Sequence, residues 1–356
     1  MATWRLIAWL IALAWSSVLS AGERIALLPL VDSGEESASR GPLTSELRSQ
    51  LIRDGFDLIS EDSVAATLRQ LRLRNTAAPL DAEIETMAGM MGADFLLVGT
   101  IHRFRTDTLL SEACVCVRLI RTSDLVVTWN NCVTRSGGGE ISLLTARATR
   151  SGTRLARAVA RKLVSDFTLE PKKRRTEVTG LVVGRREKIT QPCSTVAVIP
   201  PTDEQGYSLG SEMIGDLLGV ALRRRGVNVA DRGRVRAVML EGEDLRYGQS
   251  VKDISRLLRD SLGVDLILTG SISELTLARD AGLGAQPVVA LQLRWIDPSS
   301  DAVIWAETLE RKGDDRKGLF DVGIVHSPAL LAQQVVDDFV SDLRLVRRRV
   351  EPIRGN

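Results

Sequence analysis

The sequence is that of an α/β protein: two tandem duplicated α/β domains, each a mixed sheet with a C-terminal antiparallel hairpin and flanking helices. Three observations predict this fold. A set of segments recurs at a spacing of 171 residues. Within each copy, continuous apolar runs alternate with stripes of helical period. Late in each copy, two longer apolar runs are separated by turn-forming residues, the mark of a hairpin.

The recurrence is read residue by residue. Ile25-Ala26-Leu27-Leu28-Pro29 matches Val196-Ala197-Val198-Ile199-Pro200, and Gly55–Ile59 matches Gly226–Ala230. Gly92–Ile101 matches Gly263–Ile272. Beyond that the spacing becomes 176, so the second copy carries a longer loop; Arg118 then matches Arg294, and Trp129 matches Trp305.

Residues 24–30 and 195–200 read as buried strands ending at Pro29 and Pro200. A helix follows, with Leu43, Leu47 and Leu51, or Ile214, Leu218 and Leu222, stacked at i+4 spacing. Gly55 and Gly226 supply its left-handed cap. A short strand (57–59, 227–230) leads to Ser60 or Asp231, which suits a helix N-cap. That helix carries Val64 and Leu68, or Val235 and Met239. A further short helix ends at Gly92 or Gly263. An apolar strand (94–101, 265–272) precedes the hairpin, 112–121 with 125–134 and 287–296 with 301–309. Arg121–Asp124 and Asp297–Ser300 give the turns. A long helix closes each copy, its stripe made by Leu155, Val159, Leu163 and Phe167, or by Val335, Phe339 and Leu343.

At roughly 150 residues per domain, 356 residues hold about two domains. The expected boundaries are a signal peptide at 1–21, a first domain at 22–169, a charged linker at 170–193, a second domain at 194–346 and a basic tail at 347–356. Thr179 to Val183 has room for a short strand on either domain. Arg5 followed by the apolar run Leu6–Trp15 and the small residues Ser16–Gly22 reads as a cleaved secretory signal. The run is short for a bilayer span of about 20 residues. Glu23 stands where a lipoprotein would place its acceptor Cys, so the chain is not expected to be a lipoprotein. The expected location is an oxidising compartment, the bacterial periplasm.

Charge and composition narrow the function. The 47 basic residues nearly balance the 45 acidic ones, which argues against nucleic acid as a partner. Only His102 and His326 are present, and the four cysteines form no Cys-x-x-Cys pair; no metal site and no cofactor is expected. The basic run Glu170–Arg175 reads as a solvated linker, and Arg344, Arg347, Arg348 and Arg349 as cations at the end of the last helix, with membrane contact at most peripheral.

The order of these segments resembles the curli production assembly/transport component CsgG family. It is similar also to the activator lipoproteins of penicillin-binding proteins and to the N-terminal domain of TolB. The resemblance rests on Gly92–Ile101 and Gly263–Ile272 with their preceding helices, and on Asp231-Arg232 at the entry to the second helix. It covers roughly 24–167 and 195–343. It implies a non-enzymatic periplasmic protein of envelope assembly or secretion, which binds envelope proteins or forms homo-oligomers. The departures are the missing lipid-acceptor Cys and the shortness of 102–112 and 273–286, which are not built as membrane-spanning strands of about 9–11 residues.

Chemical motifs are sparse, and no catalytic residue is assigned. Gly206-Tyr207-Ser208-Leu209-Gly210 matches the G-x-S-x-G elbow of serine hydrolases. Five residues separate Pro200 from Gly206, however, and His326 is the only histidine after Ser208. An exported hydrolase using Ser208 is therefore the alternative reading, beside a soluble small-ligand binder with its site between the domains. Gly137–Gly139 lacks the Lys-Ser/Thr of a phosphate loop. Glu83, Glu85, Asp94 and Asp265 are the carboxylates available for acid–base pairing; Asp94 and Asp265 recur at a strand entry, where a carboxylate caps backbone N–H groups. Trp129 and Trp305 read as packing residues.

The cysteines carry one geometric expectation. If 122 and 126 flank the turn, Cys116 faces Cys132 across the hairpin, close enough for a disulfide. Cys114 shares their sheet face and is the rival. Cys193 is available to the leftover thiol. The second copy has Gln292 and Thr308 at the matching places.

Overall fold

The computed structural model describes residues 23–33, 40–106, 111–136, 152–170, 176–183, 189–203, 208–244, 252–275, 286–316 and 323–349. The signal segment, residues 34–39, the glycine triplet 137–139 and residues 276–285 of the longer loop lie outside them.

The first domain runs β1 (Arg24–Leu27), β2 (Val31–Asp32), α1 (Arg40–Arg53), β3 (Asp57–Leu58), α2 (Glu61–Leu71), α3 (Asp81–Met91), β4 (Phe95–Arg105), β5 (Glu112–Arg121), β6 (Val127–Ser136) and α4 (Gly152–Leu163). Its sheet has the order β3-β1-β4-β5-β6, with β2 on the far part of β4. The strands that follow helices pair in parallel, and the hairpin is antiparallel. Leu43, Leu47, Leu51, Val159 and Leu163 cover one face together with Val115, Val117 and Leu119. Val64, Ile84 and Met87 cover part of the other against Ala26, Leu28 and Val98.

After β7 (Thr176–Val183) and β8 (Ile189–Pro192), the same unit is written again. It comprises β9 (Thr195–Val198), β10 (Thr202–Asp203), α5 (Ser208–Arg225), β11 (Asn228–Val229), α6 (Arg232–Asp244), α7 (Lys252–Leu262), β12 (Leu266–Leu275), β13 (Val288–Asp297), β14 (Ala302–Lys312) and α8 (Pro328–Asp342). Sheet order, β11-β9-β12-β13-β14 with β10 on β12, repeats the first. The registers repeat as well. Arg24 pairs with Asp57 as Thr195 pairs with Asn228, and Cys116 pairs with Cys132 as Gln292 pairs with Thr308. Even the irregularities recur: β4 slips between Ile101 and Arg103, and β12 between Ile272 and Glu274. A duplication explains a shared bulge; two independently built sheets have no reason to share one.

Two boundaries drawn from sequence need correction. Residues 170–193 are not simply a linker, and 344–349 do not end the last helix. β15 (Arg344–Arg349) pairs antiparallel with β7, and β7 with β8, in a three-stranded sheet. The cause is burial: Val178, Leu181 and Cys193 join the core of the second domain. The helix stops at Leu343, whose extended backbone (φ −63°, ψ 130°) starts the strand. Arg225 holds the crossing by donating to the Ser341 and Leu343 carbonyls at 2.8 and 3.0 Å.

Each sheet also has one glycine where two strands nearly touch. A β-carbon on Gly99 would lie 2.6 Å from the Cys116 carbonyl oxygen and 2.6 Å from Val117 Cγ1, and one on Gly270 would meet the Gln292 carbonyl. Gly99→Ala and Gly270→Ala are each expected to destabilise the protein by about 1–3 kcal/mol. A urea midpoint unchanged in both variants would show that the strands separate freely.

Candidate functional site

The domains meet on the open half of the first sheet. Along β5 the side chains of Ala113, Val115, Val117 and Leu119 face α1 and α4, while Cys114 and Cys116 face the opposite way. There they join Cys132 and the α5 and α8 side chains Leu217, Val220, Leu331 and Val335 in one core. Helices α5 and α8 are therefore packed between the two sheets.

Polar side chains pin this junction at several places, three of them built on carboxylates of low exposure. His102 is the unpaired residue of the β4 bulge. Its fully buried ring sets Nε2 2.9 Å from Oδ2 of Asp216 on α5, while Nδ1 stands 3.5 Å from Ser33 Oγ. Asp216 also accepts from Arg232 Nη1 at 2.8 Å. Beside it, Cys116 and Cys132 are joined by a disulfide. At the second place, Arg118 Nε donates to Asp231 Oδ2 at 2.7 Å, and Asp231 Oδ1 accepts from Gly233 N at 2.7 Å. One carboxylate thus caps α6 and holds the first domain. At the third, Glu112 accepts from Arg103 Nε at 2.8 Å, from the Ser327 hydroxyl and from Ala329 N at 3.2 Å. Its charge sits on the N-terminus of α8, where the helix dipole favours an anion.

A cleft of about 800 Å³ opens next to the junction. Its floor is the edge of β6, from Asn131 to Ser136; one wall is α4, with Arg154, Ala158 and Lys162, and the other holds Arg224, Leu330 and Gln333. Among the described residues no strand pairs with the outer edge of β6. Arg224 Nη2 donates to Asn131 Oδ1 at 2.6 Å and reaches the Cys132 carbonyl at 3.4 Å. The Cys132 carbonyl therefore points out of the sheet, and by the antiparallel alternation so do the main-chain groups of Thr134. Arg135, Arg154, Lys162 and Arg224 set four cations around the cleft, against the carboxylate of Asp166.

The residues singled out from sequence are dispersed. Ser208 is the first residue of the 18-residue α5, and Gly206 and Tyr207 lie outside the described residues. His326 is exposed just before α8. Asp94 accepts from Arg24 N at 2.8 Å, and Asp265 from Ser194 N and Thr195 N at 2.7 and 2.9 Å. Glu83 accepts from Leu80 N at 2.8 Å at the start of α3; Glu85 is exposed on the same helix. Trp129 is buried edge-on against Phe167, with ring centroids 4.8 Å apart, and Trp305 packs on the second core. Of the side chains that build the junction, Asp231 is legible in sequence as the N-cap of α6, while His102, Glu112 and Asp216 carry no motif. The signal of all four is the difference between the copies: Ser273, Val288, Ser45 and Ser60 stand at the positions matching His102, Glu112, Asp216 and Asp231.

Among the described residues no helix is long and apolar enough to cross a membrane. No family model matches the chain, and no curated protein does. Solved structures are similar to part of it. The PelC dodecamer from Paraburkholderia phytofirmans shares 19% identity over 42% of this chain and 86% of its own, with a TM-score of 0.29. Lipoprotein GNA1162 from Neisseria meningitidis shares 17% over 41% of this chain and 99% of its own, at 0.31. The LpoB C-terminal domain from Escherichia coli shares 16% over 33% and 86%, at 0.27.

Proposed function

We propose that the chain is a non-enzymatic, exported accessory protein of envelope assembly or secretion, which works in the periplasm by binding another protein. The observation that carries this reading is the cationic cleft along the open edge of β6. The main-chain groups of Cys132 and Thr134 that face the cleft offer C=O and N–H groups to an added strand. The surrounding guanidinium and ammonium groups favour carboxylates on that strand. The expected occupant is thus an extended, acidic segment of a partner. The N-terminal signal pattern and the disulfide support export to an oxidising compartment. A second reading, a small anionic ligand, is favoured by the cleft volume, which falls in the range of ligand pockets.

In living cells, the test places a photo-crosslinking side chain at position 158 of the exported protein, on the α4 wall of the cleft. A protein should be captured there, and the double variant Arg154→Glu/Lys162→Glu should lose both the capture and the cellular role at unchanged protein level. Ser208→Ala and His326→Ala should keep both. An intact role after the charge reversal overturns the cleft assignment, and loss of the role in folded Ser208→Ala revives the hydrolase. Thermal stabilisation by a small anion without any crosslink selects the second reading.

A further inference from the structure

We propose that the domain junction is a redox-gated zinc site, closed by the Cys116–Cys132 disulfide and opened by its reduction. Ligand atoms of His102, Cys116 and Asp216 lie within 4.8 Å of one another. Cys132 is bonded to Cys116 and stands outside that group of three; cutting the bond frees its sulfur to turn toward the group as a fourth ligand. The set is two thiols, one imidazole and one carboxylate, a donor combination that Zn²⁺ takes in tetrahedral geometry, with Zn–S of about 2.3 Å and Zn–N and Zn–O of about 2.0–2.2 Å.

Each ligand is held by its element. The bulge in β4 turns His102 toward Cys116, although the strand register alone would leave it beside the pairing. Cys116 and Cys132 are directly opposed on β5 and β6, so both sulfurs remain on one face after the bond is cut. Asp216 arrives from α5 of the other domain, and Arg232 supports it from behind at 2.8 Å. Ser33 Oγ stands at the second ring nitrogen of His102, while donating to the Ile101 carbonyl at 3.2 Å. Such outer partners orient a metal-binding histidine and carboxylate.

The chemistry balances with a dithiol as reductant. The dithiol becomes a disulfide, and Cys116 and Cys132 become two thiols. Zinc then displaces the two thiol protons and takes the Nε2 lone pair of the neutral imidazole, whose proton sits on Nδ1 facing Ser33 Oγ. Three ligands come from the first domain and one from the second, so the ion replaces the lost covalent bond with a link across the junction. This inference does not depend on the cleft or on its occupant.

The full-length exported protein is to be compared in its oxidised and reduced forms, titrated with Zn²⁺ against a chromophoric chelator. The reduced form should bind a single Zn²⁺ and the oxidised form none at the same concentration. Asp216→Asn and His102→Gln should each weaken binding more than about tenfold, and Cys114→Ser should not. X-ray absorption on zinc-loaded wild type gives an answer even where a variant fails to fold: two sulfurs and two nitrogen or oxygen ligands are expected. Equal binding by oxidised and reduced protein, a shell of nitrogen and oxygen only, or a shell of three or four sulfurs overturns the proposal.

Discussion

Glu112→Ala will be the most damaging single substitution at the junction, lowering stability by about 3–5 kcal/mol. The side chain is buried and serves three donors on two domains. Removing it leaves the Arg103 guanidinium, itself only 15% exposed, without that carboxylate. It also strips the anion from the N-terminus of α8, a helix whose apolar face fills the space between the sheets. The donors that lose a buried carboxylate acceptor dominate this sum, because the ion pair's own attraction is largely offset by desolvation. Glu112→Gln keeps an acceptor for Ser327 and Ala329 and should lose less. Urea unfolding followed by fluorescence and by circular dichroism measures both. If Glu112→Ala unfolds at the wild-type midpoint, the carboxylate does not hold the domains together.

The equivalent substitution in the other copy, Val288→Ala, touches no such network. That contrast bears on how much of the molecule is legible in its sequence. The repeated strands, helices and registers are legible, because buried strands and helix stripes have fixed periods, and the hairpin register follows from turn length. Observed pairs run from Glu112 with Ser136 to Leu119 with Trp129, then slip by one at a bulge near the turn that a count of residues does not include. The third sheet is obscured by its own charge. Arg344, Arg347 and Arg348 are exposed, and the strand is held by backbone pairing to β7, which leaves only Leu345 and Val346 as an apolar trace.

The docking of the domains is written in the hairpins, in a form that periodicity understates. β5 reads Ala113-Cys114-Val115-Cys116-Val117, apolar without a break, and both of its faces are buried. β13 has Gln292 and Arg294 between apolar residues, and its outer face stays accessible. A continuous apolar strand is covered on two sides, and an alternating one on one side. The difference between copies thus marks which sheet receives the other domain. It does not identify His102 or Asp216 as partners, because they are 114 residues apart and meet only through that docking.

Reducing the Cys116–Cys132 bond, with a metal chelator present, will lower stability by about 3 kcal/mol, the value expected for a closed loop of about 15 residues. The bond joins residues 16 apart and removes conformations from the unfolded chain. Its loss will not be confined to the hairpin. Cys116 and Cys132 belong to the core shared with α5 and α8, so a loosened β5–β6 pair loosens the docking surface itself. The other two thiols serve as an internal control. Burial pushes Cys114 and Cys193 up to about 12, which keeps them protonated and inert in the folded protein. Alkylation of the oxidised protein should therefore label no cysteine when native and two, Cys114 and Cys193, when unfolded; reduction before unfolding should raise this to four. Four labelled cysteines without reduction would show that the bond is absent. A full shift in midpoint with the bond intact would place the loss elsewhere, whereas a shift that appears only on reduction, and that zinc reverses in wild type but not in Asp216→Asn, ties the stability of the junction to the redox state of this one cross-strand pair.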